Sequence, residues 1–111
     1  MKLEEGMYVR TREKIVKIEK ILDGVMWDTQ GHLHYGDFVK ASYNIIDILE
    51  VGDYVSTITG ECAVIIGVYH DINGKKYIRL CNCIGDYYED DIKSVITHEQ
   101  MEQMAYKVSE E

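Results

Sequence analysis

One seven-residue phrase occurs twice in this chain. Residues 3–9 read Leu-Glu-Glu-Gly-Met-Tyr-Val and residues 49–55 read Leu-Glu-Val-Gly-Asp-Tyr-Val. Five of the seven positions are identical, at an offset of 46. The echo continues downstream. Ile15-Val16-Lys17-Ile18, an Asp23-Gly24 turn and Val25-Met26-Trp27 correspond to Val64-Ile65-Ile66-Gly67-Val68, an Asn73-Gly74 turn and Lys75-Lys76-Tyr77-Ile78. At the turns the offset is 50, so the second copy carries about four extra residues. The same offset aligns Asn44-Ile45-Ile46 with Ser94-Val95-Ile96. Three blocks in one order point to one structural unit written twice, which constrains the fold more than any single motif.

Each copy reads as β-structure. Asp-Gly and Asn-Gly between apolar runs are strong hairpin signals, because both residues accept the positive φ of a type I′ turn. Gly6 and Gly52 each stand just before a Tyr-Val pair, where a tight turn leads into a strand. Runs of about five residues rich in β-branched and aromatic side chains, broken by regular turns, predict a small barrel or sandwich. One helix is expected, over His98–Met104. Thr97 and Gln100 form a capping box, Glu99 lies in the first turn, and Met101 and Met104 share a face. Residues 105–108 read as a closing strand.

The predicted architecture is therefore mainly β, with unit one over residues 1–47 and unit two over residues 48–111. A unit of roughly 50 residues buries only a marginal core, so the two units pack together or the chain dimerises. The candidate core is Val9, Ile15, Ile18, Trp27, Phe38, Ile45, Ile48, Val55, Val64, Ile66, Ile78, Ile84, Ile92 and Val95.

The phrase Leu-x-x-Gly-x-Tyr-Val, followed by an apolar strand, a turn and a second strand, resembles the opening of SH3-like small β-barrels, including the KOW type. The resemblance covers both units and implies two SH3-like repeats. The KOW type carries a second glycine between basic residues. Lys14 and Gly60-Glu61 stand at those places, so nucleic-acid binding does not carry over. Two further blocks, Val39-Lys40-Ala41-Ser42-Tyr43-Asn44-Ile45-Ile46-Asp47-Ile48-Leu49-Glu50-Val51-Gly52-Asp53-Tyr54-Val55 and Ile92-Lys93-Ser94-Val95-Ile96-Thr97-His98-Glu99-Gln100-Met101-Glu102, are similar to stretches in small uncharacterised phage and prophage proteins of low-GC Gram-positive bacteria. That resemblance implies a mobile-element origin. By analogy it adds weight to an anti-CRISPR or other anti-defence role.

Charge narrows the function classes. The chain holds 12 basic and 20 acidic side chains, a net charge of −8. Phosphate neutralisation by Lys and Arg supplies most non-specific nucleic-acid affinity, so direct nucleic-acid binding is not expected. A basic partner suits the acidity. The charge is uneven: residues 1–50 carry seven basic and nine acidic side chains, and residues 51–111 carry five and eleven. No stretch has the roughly 18 apolar residues of a membrane span, and no apolar segment follows the first residues. With Cys62, Cys81 and Cys83 read as reduced thiols, the expected location is the cytoplasm of a host bacterium.

The main candidate site is Asp86-Tyr87-Tyr88-Glu89-Asp90-Asp91, four carboxylates and two tyrosines in six residues. Carboxylates give complementarity to a basic surface, and tyrosines give contact area at low entropic cost. The expected partner is a bacterial defence protein or nucleoprotein complex with a basic surface. A second candidate is the stripe Arg10, Arg12 and Lys14, which share one face of an extended strand and suit a phosphate. A nucleotide-signal binder using Arg10, Arg12 and tyrosine stacking is the alternative, followed by a structural or assembly module.

Metal readings are weaker. Cys81-Asn82-Cys83 has one intervening residue where structural zinc sites use two to four. The simpler reading is two small side chains packed on one strand face. His32-Leu33-His34 projects two imidazoles from one face, with Asp28 and Asp37 near in sequence, but the simpler reading is a polar hairpin face. No metal or cofactor is expected. No nucleophile elbow, P-loop or HExxH motif is present, and no enzyme activity is expected.

Overall fold

A computed structural model describes residues 3–34 and 38–104. The expected strand over residues 105–108 lies outside the described residues, as do Tyr35 and Asp37. The chain is mainly β and forms two antiparallel sheets. The first contains β1 (Tyr8–Thr11), β2 (Ile15–Leu22), β3 (Val25–Asp28), β4 (Leu33–His34) and β5 (Phe38–Ser42). A 3-10 turn, Ile45–Ile48, leads to the second sheet. That sheet contains β6 (Tyr54–Thr57), β7 (Cys62–His70), β8 (Lys76–Leu80) and β9 (Ile92–Ile96), with a 3-10 turn at Glu89–Asp91 and a final helix, α1 (His98–Met104).

The two sheets share one pairing scheme. Their orders are β4-β3-β2-β1-β5 and β8-β7-β6-β9. An isolated bridge between Ile78 and Tyr87 takes the place of the β3–β4 pairing. Each bulge recurs too. The register slips between Ile18 and Lys20 in one sheet and between Ile65 and Gly67 in the other, and again at Arg10/Thr11 and Ser56/Thr57. Bulges are position-specific devices, so their recurrence agrees with a doubled unit. No edge strand of one sheet pairs with another to close a barrel among the described residues.

Register corrects part of the expected alignment. β5 and β9 occupy the same place beside β1 and β6, so Phe38–Ser42 corresponds to Ile92–Ile96. Asn44-Ile45-Ile46 therefore does not correspond to Ser94-Val95-Ile96. It corresponds instead to His98-Glu99-Gln100, the first turn of α1. The Asp23-Gly24 turn has φ of 50° and 78°, as a two-residue hairpin requires. The Asn73-Gly74 hairpin is wider. Asp71 N–H donates to Lys75 O, and only Gly74, at φ 81°, is left-handed.

Two apolar clusters form the core. Val9, Val16, Ile18 and Met26 fill the first. Ile46, Leu49, Val55, Ile65, Ile78 and Leu80 fill the second, with Ile15, Ile45, Ile92 and Val95 against it. Packing thus crosses the expected boundary between residues 47 and 48. Ile66 and Ile84, both expected inside, are 55% and 100% exposed. Ile66 is the extra residue of the β7 bulge and turns outward. Ile84 sits in the loop after β8. Trp27 and Val64 are only half-buried. α1 and its capping box form as expected: Thr97 N–H donates to Gln100 Oε1 at 2.9 Å, and Gln100 N–H donates to Thr97 Oγ1 at 3.1 Å. Met104, however, is exposed.

Candidate interaction face and the arginine joint

Arg10 lies on β1 with its side chain wholly buried. It does not join Arg12 and Lys14 at the surface. β1 ends at Thr11, whose N–H donates to Lys14 O, so the chain turns back between them. Arg12 is exposed at the turn and Lys14 is half-buried; both line a shallow cleft with Thr11, Glu13, Met26, Leu33 and His34. The one-face stripe expected for three consecutive alternating cations is broken by that turn.

Arg10 instead reaches across to the second sheet. Nη1 donates to Asp53 Oδ2 at 2.6 Å and to Ile48 O at 3.1 Å. Nη2 donates to Asp53 Oδ1 and to Glu99 Oε1, both at 2.8 Å. Such two-pronged pairs are strong and directional. Asp53 also accepts the backbone N–H groups of Glu50 and His98. Glu50 takes Lys40 Nζ at 3.1 Å and His98 Nε2 at 2.8 Å. Burial pulls the Arg10 pKa down, but Asp53, Glu50 and Glu99 outweigh it and the value is raised. The Glu50 carboxyl is lowered, first by His98 and then by Lys40 and Arg10, against the effect of burial. Thr97 Oγ1 donates to Glu13 O at 3.2 Å, adding a further link. These residues bind β1 and β5 of one sheet to the linker and α1 of the other. With its N–H groups turned inward, Arg10 is a joint rather than a phosphate contact, and the nucleotide-signal reading loses its central cation.

Glu50, His98 and Glu99 also present ligand atoms within 4.8 Å of one another. Arg10 and Lys40 already neutralise these carboxylates, so the group is explained as part of the joint.

The 86–91 segment divides. Tyr87 turns inward against the second cluster, where burial raises its pKa. Asp91 Oδ2 accepts Tyr88 N–H at 2.9 Å and caps the 3-10 turn. Glu89 faces Ile46 N–H at 3.4 Å. Asp86 and Asp90 are exposed. Tyr88 turns outward, and its hydroxyl donates to Asp71 Oδ2 at 3.0 Å.

Tyr88 continues a row of rings on the outer face of β7 and β8. Tyr69 and Tyr77 stand opposite each other in register. Their ring centroids are 5.6 Å apart, and Tyr77 and Tyr88 are separated by the same distance. The tilted arrangement suits the ring quadrupoles. The Arg79 guanidinium lies 5.5 Å from the Tyr69 ring centre and 5.9 Å from that of Tyr77, while Nε donates to Asp86 Oδ1 at 2.9 Å. Lys75 Nζ lies 5.1 Å from the Tyr88 ring centre. Gly67 makes room for the row: a Cβ there would meet the Tyr69 ring. The corresponding places on β2 and β3 hold Lys20, Leu22, Val25 and Trp27, so the tyrosine row belongs to the second sheet alone.

Tyr69, Tyr77 and Arg79 were not singled out from sequence. Their signal was present, since Tyr69 and Tyr77 flank the Asn73-Gly74 turn. Only the register of the wider loop places them opposite each other.

Beside the cleft, Asp28 is a buried carboxylate at the place that Leu80 occupies in the second sheet. Burial would raise its pKa. His34 and the backbone N–H groups of His32 and Gln30 overcome this and hold it at about 2. Cys62, Cys81 and Cys83 are free thiols. No described helix is long and apolar enough to cross a membrane. No family model, curated protein or solved structure matches this chain.

Proposed function

We propose that this protein acts by binding another macromolecule through the outer face of β7 and β8 and the adjoining 86–91 segment. The observation that carries the reading is the Tyr69–Tyr77–Tyr88 row with Arg79 set over it. Trp, Tyr and Arg are enriched at the energetic centres of protein interfaces. A tyrosine buries large area with few torsions to fix, and Arg79 is already held by Asp86 and the rings beneath it. Asp86 and the exposed Asp90 supply an acidic rim that favours a basic partner. The same rim repels phosphate backbones, which supports a protein surface over direct nucleic-acid contact.

The resemblance to phage and prophage proteins makes a bacterial defence complex with a basic surface the partner class, and inhibition by occlusion the mode of action. The strand order, with β1 and β6 each between a meander and a returning strand, supports two SH3-like units over residues 1–47 and 48–111. The experiment is affinity capture from a bacterium carrying defence systems, with the wild-type chain and a Tyr69→Ala/Tyr77→Ala variant. Capture of a basic complex by the wild type, lost in the variant, is expected. Equal capture by both sinks the proposed face. Asp86→Lys/Asp90→Lys tests the rim without disturbing Asp91, which caps the 3-10 turn.

A further inference from the structure

The second sheet serves as a control on the first. At the β1–β2 turn, Thr11 Oγ1 accepts the N–H groups of Glu13 and Lys14 and donates to Lys14 O. Thr57 builds the same kind of turn before β7: its N–H donates to Glu61 O, and its Oγ1 accepts Glu61 N–H. Register then matches the positions. Lys14 corresponds to Glu61, Arg12 to Ile58, Lys17 to Val64 and His34 to Tyr87. Three cations and an imidazole in the first unit stand where the second has a carboxylate and three uncharged side chains. The turn and the sheet form with either set, so the cations are a property of the first sheet and not a requirement of the fold.

The side chains are also held differently. Glu61 folds back on its own turn, where Oε1 accepts the hydroxyls of Thr57 and Thr59. Lys14 contributes only its backbone to the turn, and its half-buried side chain has no acceptor among the described residues. It lies on a shallow cleft of about 360 Å³ together with Arg12 and His34, and borders a second cleft with Lys17. His34 Nε2 donates to Asp28 Oδ2 at 2.9 Å, since an ionised carboxylate only accepts. That bond fixes the ring in the cleft wall and leaves Nδ1 for a ligand. A cation drawn partly out of water without a partner is costly, and an anion relieves that cost. Met26 and Leu33 give the cleft an apolar wall. Its one carboxylate is that of Glu13, which is exposed.

We propose that this cleft binds a phosphate monoester of a small organic molecule. The phosphate sits on Lys14 and Arg12 beside His34, and the organic part lies against Met26 and Leu33. Lys takes a phosphate as a point charge and Arg as a two-pronged donor. Clefts of roughly 300–1,000 Å³ hold small ligands. The site lies on the first sheet and the tyrosine row on the second, so it stands or falls independently of partner capture.

Phenyl phosphate is titrated into the full chain and followed by backbone amide shifts in two-dimensional NMR, beside inorganic phosphate and a thymidine oligonucleotide. Shifts concentrated at residues 11–14 and 33–34 are expected. Phenyl phosphate should bind more tightly than inorganic phosphate, because only the ester reaches the apolar wall. Lys14→Gln should weaken binding about tenfold, the size of one charge-assisted hydrogen bond, with an unchanged melting temperature. Glu13→Gln should tighten binding, since a repelling carboxylate is gone. Tyr69→Ala/Tyr77→Ala should leave it unaltered. Affinity that survives Lys14→Gln, or shifts that gather at Lys75 and Arg79 instead, overturns the site. So does the absence of shifts at millimolar phenyl phosphate. Tighter binding of the oligonucleotide than of phenyl phosphate overturns the assignment to a small phosphate monoester.

Discussion

Arg10 shows how one residue acquires a meaning that its neighbours in sequence do not suggest. Its side chain is wholly buried, and Nε finds no acceptor among the described residues. The two-pronged bond to Asp53 offsets that cost. Removing one member of a buried ion pair leaves the other charge uncompensated, at about 3–5 kcal/mol. Asp53→Ala should therefore lower the unfolding free energy by that order in a denaturant titration. Arg10→Leu/Asp53→Leu should recover much of the loss, because neither charge is then stranded. The pH response belongs to the same joint. A carboxyl whose folded pKa is lowered stabilises the fold above its unfolded value, and that contribution fades as pH falls through the folded one. Glu50 is such a group, so the joint should loosen as pH drops below about 4.5. Melting temperatures measured from pH 6 to 3 should fall less steeply in Glu50→Gln.

At the scale of elements, α1 is short, yet its first turn is tied on two sides. Thr97 caps it and also bonds Glu13 across the joint. Loss of a cap hydroxyl typically costs about 1 kcal/mol. Thr97→Ala should exceed that figure in chemical denaturation, because the link to Glu13 goes with it. In the β7–β8 hairpin, Gly67→Ala pushes the Tyr69 ring aside while leaving the backbone in ordinary conformation. Partner capture should weaken with little change in melting temperature. A large stability loss without an effect on capture would place the tyrosine row in the fold rather than in recognition. The helix was legible beforehand because its capping box is local. The tyrosine row was not, because the bulge at Ile65/Gly67 and the wide Asp71–Lys75 loop set the register together. The same bulge explains why Ile66, apolar and within a strand, faces solvent.

For the whole molecule, the two sheets behave as one object. The second apolar cluster draws Ile15 from β2 and Ile45 from the linker, and the arginine joint adds bonds between the sheets. Thermal unfolding should be a single transition, with equal calorimetric and van't Hoff enthalpies. Two separated transitions would show that the sheets melt independently. Partner binding should weaken as salt rises from low to physiological strength, since its acidic rim is solvent-exposed and screened.

The sequence by itself determined what is local or periodic: the doubled unit, the β-rich class, the Asp23-Gly24 turn and the capped final helix. Each depends on neighbouring residues whose φ, hydrogen bonds or alternation are set within a few positions. Tertiary structure alone decided what depends on distant chain segments meeting. It turned Arg10 inward to Asp53, 43 residues away, split the acidic segment between the core and the surface, and set two histidines on one buried carboxylate. Charge and side-chain type name the chemistry available. Only the register between strands selects which groups share a face.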